Sequence, residues 1–70
     1  MNSKKANSVI VTARVSIDDR RPMASSARFC LHDAIRAYDS GDYATAFSRA
    51  MRSLQYSVGI LHPSYRAFVR

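Results

Sequence analysis

Two spacings of apolar residues divide this chain. Over residues 8–17 the positions alternate: Val9, Val11, Ala13, Val15 and Ile17 point one way, and Ser8, Ile10, Thr12, Arg14 and Ser16 the other. A period of two carried by β-branched residues predicts a strand, with Ile10 as the one breach on its polar side. Beyond Pro22 the spacing becomes the three-to-four-residue repeat of a helix. Ala27, Leu31, Ala34 and Tyr38 form one stripe, flanked by Cys30 and Ile35. Tyr43, Phe47, Ala50, Leu54 and Leu61 form another, flanked by Ala46, Met51 and Val58.

Local signals set the boundaries. Asp18-Asp19-Arg20-Arg21-Pro22 ends the strand, and Pro22 suits the first turn of a helix, where its missing N–H costs nothing. Ser25 and Ser26 are alternative N-caps. The first helix is expected to reach about Asp39 and stop at Ser40–Gly41, with Gly41 in the left-handed C-cap conformation. Asp42 then caps a second helix from Tyr43 to about Ser57. Their short connection predicts antiparallel packing, and Ala34, Ala46 and Ala50 allow close approach. Residues 63–70 read as one short helix opened by Pro63. A strand is the alternative, since Tyr65, Ala67 and Val69 alternate with Arg66, Phe68 and Arg70. Residues 1–7 read as a flexible basic arm, and residues 8–70 as a single small domain. The expected fold is mainly α: an N-terminal β-strand, an antiparallel two-helix hairpin and a short C-terminal helix or tail.

A lone strand needs a partner for its backbone N–H and C=O groups. Either the C-terminal tail or the same strand of a second subunit supplies one; the second option makes a homodimer. The strand–helix–turn–helix order of residues 8–58 resembles the layout of the ribbon-helix-helix DNA-binding proteins. That resemblance implies a dimer ribbon whose Thr12, Arg14 and Ser16 enter a major groove. The stretch Tyr38-Asp39-Ser40-Gly41-Asp42-Tyr43-Ala44-Thr45-Ala46-Phe47 is similar to the inter-helix turn of tetratricopeptide repeats, which implies an antiparallel hairpin.

Composition narrows the function. Eleven Lys and Arg face five acids, a net charge of +6; nine of the bases are Arg, and every acid is Asp. Arg presents a planar fork suited to phosphate and carboxylate. Seventy residues with one cysteine exclude a multidomain enzyme and a disulfide miniprotein, and leave a marginal core that favours a second chain. No apolar run approaches the roughly 20 residues of a membrane span. Lys4 and Lys5 precede an apolar run, as in a signal peptide, but Arg14 interrupts it and Asp18–Asp19 follow it. With the single Cys30, these features predict a cytoplasmic protein.

Catalytic groups are sparse. Cys30 and His32 lie about 200° apart around a helix, so Cys30 reads as core and His32 as solvated. Asp18–Asp19 reads as a turn with local charge pairing. His62 reads as a loop or helix-end residue. No spacing suits a metal or a phosphate-cradling glycine loop, and no cofactor is expected.

Binding groups are better placed. Thr45, Arg49, Arg52 and Tyr56 lie at i, i+4, i+7 and i+11, opposite the apolar stripe. Two guanidinium groups there suit adjacent phosphates or one acidic patch. Lys4 and Lys5 add phosphate contacts from the arm. Phe29 falls outside the apolar stripe, among His32, Asp33 and Arg36. It reads as a side chain packed under the strand or the tail, or else as an anchor for a protein partner. The expected function is a small basic non-enzymatic binding protein, a nucleic-acid-binding accessory or regulatory factor acting through Lys4, Lys5, Thr12, Arg14, Arg49, Arg52 and Tyr56. The alternative is a phage- or plasmid-type accessory or inhibitor that docks on an acidic surface of a larger protein through Phe29, Arg36 and Arg52.

Overall fold

The structure, a computed structural model, describes residues 1–69. These residues form three long helices and one short one: α1 (Ser3–Ser16), α2 (Ala24–Asp39), α3 (Tyr43–Val58) and the single turn α4 (Pro63–Arg66). No strand occurs among the described residues.

The expected N-terminal strand is a helix, and the reason lies in which residues become buried. Ala6, Val9, Ile10 and Ala13 are buried, at i, i+3, i+4 and i+7 of α1, and Ile17 packs beside them. Val9, Ala13 and Ile17 are spaced by four, which satisfies a period of two and a helical period equally. Ile10, the breach in the strand pattern, is a core residue of the helix. Val11 and Val15, assigned to the buried face of the strand, are 51% and 76% exposed. The β-branched run has weak helix propensity, so the helix is held by packing an apolar stripe on the rest of the bundle.

Local hydrogen bonds complete α1. Asn2 is its N-cap and accepts from the Lys5 N–H at 3.0 Å. The Thr12 hydroxyl donates to the Ser8 carbonyl and the Ser16 hydroxyl to the Thr12 carbonyl, the usual fate of such groups inside a helix. Residues 3–7, expected as part of a flexible arm, form the first turns of α1, and Ala6 is fully buried. With the strand go the dimer ribbon, the strand–tail pairing and the ribbon-helix-helix layout. Of the two reasons for a homodimer, only the small core remains.

α2 and α3 are joined by a tight turn with a clear cause. Gly41 N–H donates to the Tyr38 carbonyl and Asp42 N–H to the Ala37 carbonyl, and Gly41 sits at φ 85°. These are the two bonds of a Schellman motif, which places its C′ residue in the left-handed region that favours glycine. Asp42 then accepts from the Thr45 N–H at 3.2 Å and caps α3. Hydrogen bonding from Thr45 holds the Asp42 carboxyl below the usual carboxylate range.

α3 is the central helix and packs on both α1 and α2, which touch each other only lightly. Alanines at 27, 34, 46 and 50 are fully buried. The fully buried Ser53 donates from Oγ to the Ala27 carbonyl at 2.7 Å. That bond joins the end of α3 to the start of α2, which makes the pair antiparallel. On the other flank, Lys5 Nζ lies 5.2 Å from the centroid of the Phe47 ring, at the starts of α1 and α3. Leu61, assigned to the buried stripe of the second helix, is 77% exposed because α3 ends at Val58. Gly59 turns the chain there at φ 89° and ψ 162°, a region open essentially to glycine.

His62 Nδ1 accepts from the Ser64 N–H and opens α4, whose first residue is Pro63. Tyr65 and Phe68 pack against the core. The alternation proposed for the tail as a strand is absent among these residues; its last member, Arg70, lies outside the described residues.

Candidate functional site: a basic cleft between α2 and α3

The antiparallel register brings one side of α2 against the outer stripe of α3. An open cleft of about 380 Å³ lies between them, lined by Ser25, Ser26, Phe29 and Cys30 from α2 and by Arg49, Arg52 and Tyr56 from α3. This is at the small end of the size range of ligand pockets, roughly 300–1,000 Å³. A second hollow on the solvent side of α3 is lined by Ala44, Thr45, Ser48, Arg49 and Arg52. Arg49 and Arg52 border both, so they form a charged ridge with hydroxyl groups on either side.

The charge on that ridge is free. Among the described residues the ion pairs are Arg20–Asp18 and Arg28–Asp19, both in or beside the loop joining α1 to α2. Among the described residues neither Arg49 nor Arg52 forms an ion pair, and both are exposed. The first turn of α2 adds to the positive potential. Met23 gives it no side-chain cap and it contains no acid, so it keeps the partial positive charge of a helix start beside Ser25 and Ser26.

Cys30 forms the floor of the cleft and is buried. Burial pushes its thiol pKa up; Arg52 and Arg49 oppose that shift, and Asp33 adds to it. The thiol is therefore protonated at neutral pH and shielded. In the folded protein Cys30 will react with a disulfide reagent far more slowly than in urea, and its rate will rise only above the pH at which an ordinary thiol ionises. Arg52→Ala will move that pH profile further up. A native thiol as reactive as the unfolded one would contradict this placement.

Several sequence-predicted residues meet here and others do not. Arg49, Arg52, Tyr56 and Thr45 share the ridge, as their spacing implied. Phe29 joins them from α2: at 69% exposed it is covered neither by α1 nor by the described residues of the tail, so the expected packing under the strand or tail does not occur among them. Arg36 is exposed one stripe along α2, seven residues beyond Phe29, and does not line the cleft. Lys4, Lys5, Thr12 and Arg14 lie on α1 and line neither hollow. Thr12, Arg14 and Ser16 no longer share a face, because on a helix Arg14 points about 200° from Thr12. Ser25 and Ser26 in the cleft, and Ser48 in the second hollow, are the residues that sequence reasoning misses as ligand contacts. The sequence presents the two serines on α2 as caps; only the register of α2 against α3 reveals where they face.

The remaining candidates for chemistry stay apart. Cys30 is buried while His32 is exposed. Asp18 accepts from the backbone N–H and the guanidinium of Arg20 at 3.0–3.1 Å, which holds its carboxyl below the usual range. No cluster of three or more His, Cys, Asp or Glu able to hold a metal forms among the described residues. None of the described helices is long and apolar enough to cross a membrane. Comparison with known protein families, curated proteins and solved structures finds no match.

Proposed function

We propose that this protein is a small, non-enzymatic, basic binding module that takes a nucleic acid by its phosphates, as an accessory or regulatory factor. The observation that carries this reading is the pair Arg49 and Arg52: adjacent on one helix face, exposed, and in no ion pair among the described residues. Residues at i and i+3 lie about 5–6 Å apart at Cβ, which lets two guanidinium forks reach neighbouring phosphates. Hydroxyls of Ser25, Ser26, Thr45 and Ser48 border the same ridge and suit further phosphate-oxygen contacts. The net charge of +6 supplies long-range attraction to a polyanion.

Fluorescence anisotropy with a labelled oligonucleotide, titrated from low to physiological salt, tests this. Binding is expected at low salt, weakening on a straight log–log line as counterion release requires. No binding of DNA or RNA at low salt would refute the reading.

One observation favours a second reading, a stoichiometric protein-binding accessory. Phe29 and Arg36 are both exposed on one stripe of α2, two turns apart, and aromatic and arginine side chains are common anchors in protein interfaces. On that reading nucleic acid does not bind at physiological salt. Phe29→Ala combined with Arg36→Ala then abolishes a one-to-one complex with an acidic partner while the fold survives.

A further inference from the structure

Resting on the nucleic-acid reading, we infer that the cleft is a site for a single strand: bases stack on Phe29 and Tyr56 while Arg49 and Arg52 hold the phosphates between them. Three observations lead there. The first is the shape of the basic element. α1 and α2 both pack on α3. The arginine stripe of α3 is bordered by the α2 wall, so a ligand seated on Arg49 and Arg52 also meets Ser25, Ser26 and Phe29.

The second observation is the Phe29 ring. It stands 69% exposed on the α2 wall, although a 70-residue domain has few large side chains to spare from its core. An aromatic face beside a charged backbone track is the arrangement on which unpaired bases stack, and it accepts any base because every base has a π-face. The third is that Tyr56 lies on the opposite, α3, wall of the same cleft as Phe29. Both rings border the cleft, and the arginine pair lies on the same helix as the tyrosine. In a duplex the bases are paired and stacked on one another, and neither ring is reached without unpairing them.

The proposal separates phosphate contacts from base contacts, and the experiment exploits this. Three labelled probes of equal length are titrated into the full chain: a thymidine oligonucleotide, its abasic counterpart with the same phosphates and no bases, and a duplex. A uridine oligoribonucleotide forms a fourth arm that distinguishes DNA from RNA. The thymidine strand is expected to bind roughly 5- to 100-fold more tightly than the abasic strand for each base that stacks. Phe29→Ala is expected to remove most of that difference while leaving the salt slope intact. Arg52→Ala is expected to do the reverse, flattening the slope by about 0.7 on single strands and preserving the preference for bases. Circular dichroism of both exposed-site variants checks that each keeps the helical fold. Equal affinity for thymidine and abasic strands, or tighter binding to the duplex, would overturn the single-strand inference and leave phosphate binding standing. Failure of all four probes at low salt would overturn both.

Discussion

Leu54→Ala will destabilise the bundle by about 2–5 kcal/mol, the range for truncating a buried leucine. A domain of this size holds on the order of 4–10 kcal/mol in total. The core explains why one side chain weighs so much. Six of its buried positions are alanine: 6, 13, 27, 34, 46 and 50. Those alanines let the helices approach closely but contribute little apolar surface each. Leu54 is the largest of the fully buried side chains and sits on the central helix, which contacts both neighbours. Removing it leaves a cavity that neighbouring alanines are too short to fill. Urea denaturation followed by far-ultraviolet circular dichroism will show the midpoint falling sharply, with most of the population unfolded if the wild type is near the lower end of that range. Arg52→Ala, on the exposed ridge, will leave the unfolding free energy within about 0.5 kcal/mol of wild type. Equal losses for the two variants would mean that the buried and exposed faces of α3 are misassigned.

The same contrast, reversed, is expected for binding. Arg49→Ala and Arg52→Ala will each weaken nucleic-acid binding by roughly 10- to 100-fold, the range for losing a charge-assisted hydrogen-bonded contact. The loss will be similar on every sequence, because phosphate contacts carry no base information. Each variant will also flatten the salt dependence by about one phosphate's worth, about 0.7 in log–log slope for a single strand. The two side chains are neighbours, so the double variant will depart from simple additivity. Arg14→Ala and Lys4→Ala will have smaller effects, since those residues lie on α1, outside the cleft. A loss from Arg14→Ala equal to that from Arg52→Ala would move the contact surface to α1.

Much of α2 and α3 was legible in the sequence. The stripe Ala27, Leu31, Ala34 with Cys30 is the buried face of α2, and Ala46, Ala50, Met51 and Leu54 belong to that of α3. Gly41 and Asp42 mark the turn by chemistry that leaves few alternatives: a positive φ and a side-chain cap. α1 reads as a strand because Val9, Ala13 and Ile17 satisfy two periods at once. Starting the window at Ala6 would have separated them, since Ala6, Val9, Ile10 and Ala13 fit only the helix. Asn2 was a further cue, an N-cap residue at the start of a segment otherwise read as an arm.

The cleft was half legible for a related reason. The α3 ridge follows from spacing within one helix. Its opposite wall depends on which α2 residues face it, and that is fixed by packing details such as the Ser53–Ala27 bond. Phe29 stood out as an aromatic beyond the apolar stripe, yet the pressure to bury large side chains in a small domain argued for the interior. By sequence Lys4 and Lys5 fall on a flexible arm and Thr12 and Arg14 on a strand; all four lie on α1 and line neither hollow.

The most direct test is a map of the contact surface. Amide ¹H–¹⁵N chemical shifts of the full chain, followed while a thymidine oligonucleotide is titrated in at low salt, will report where the ligand sits. Shifts concentrated at Ser25, Ser26, Phe29, Cys30, Arg49, Arg52 and Tyr56, with the outer face of α1 around Val11 and Val15 unmoved, are the predicted result. Shifts centred on α1, or none at saturating oligonucleotide, would contradict a nucleic-acid site between α2 and α3.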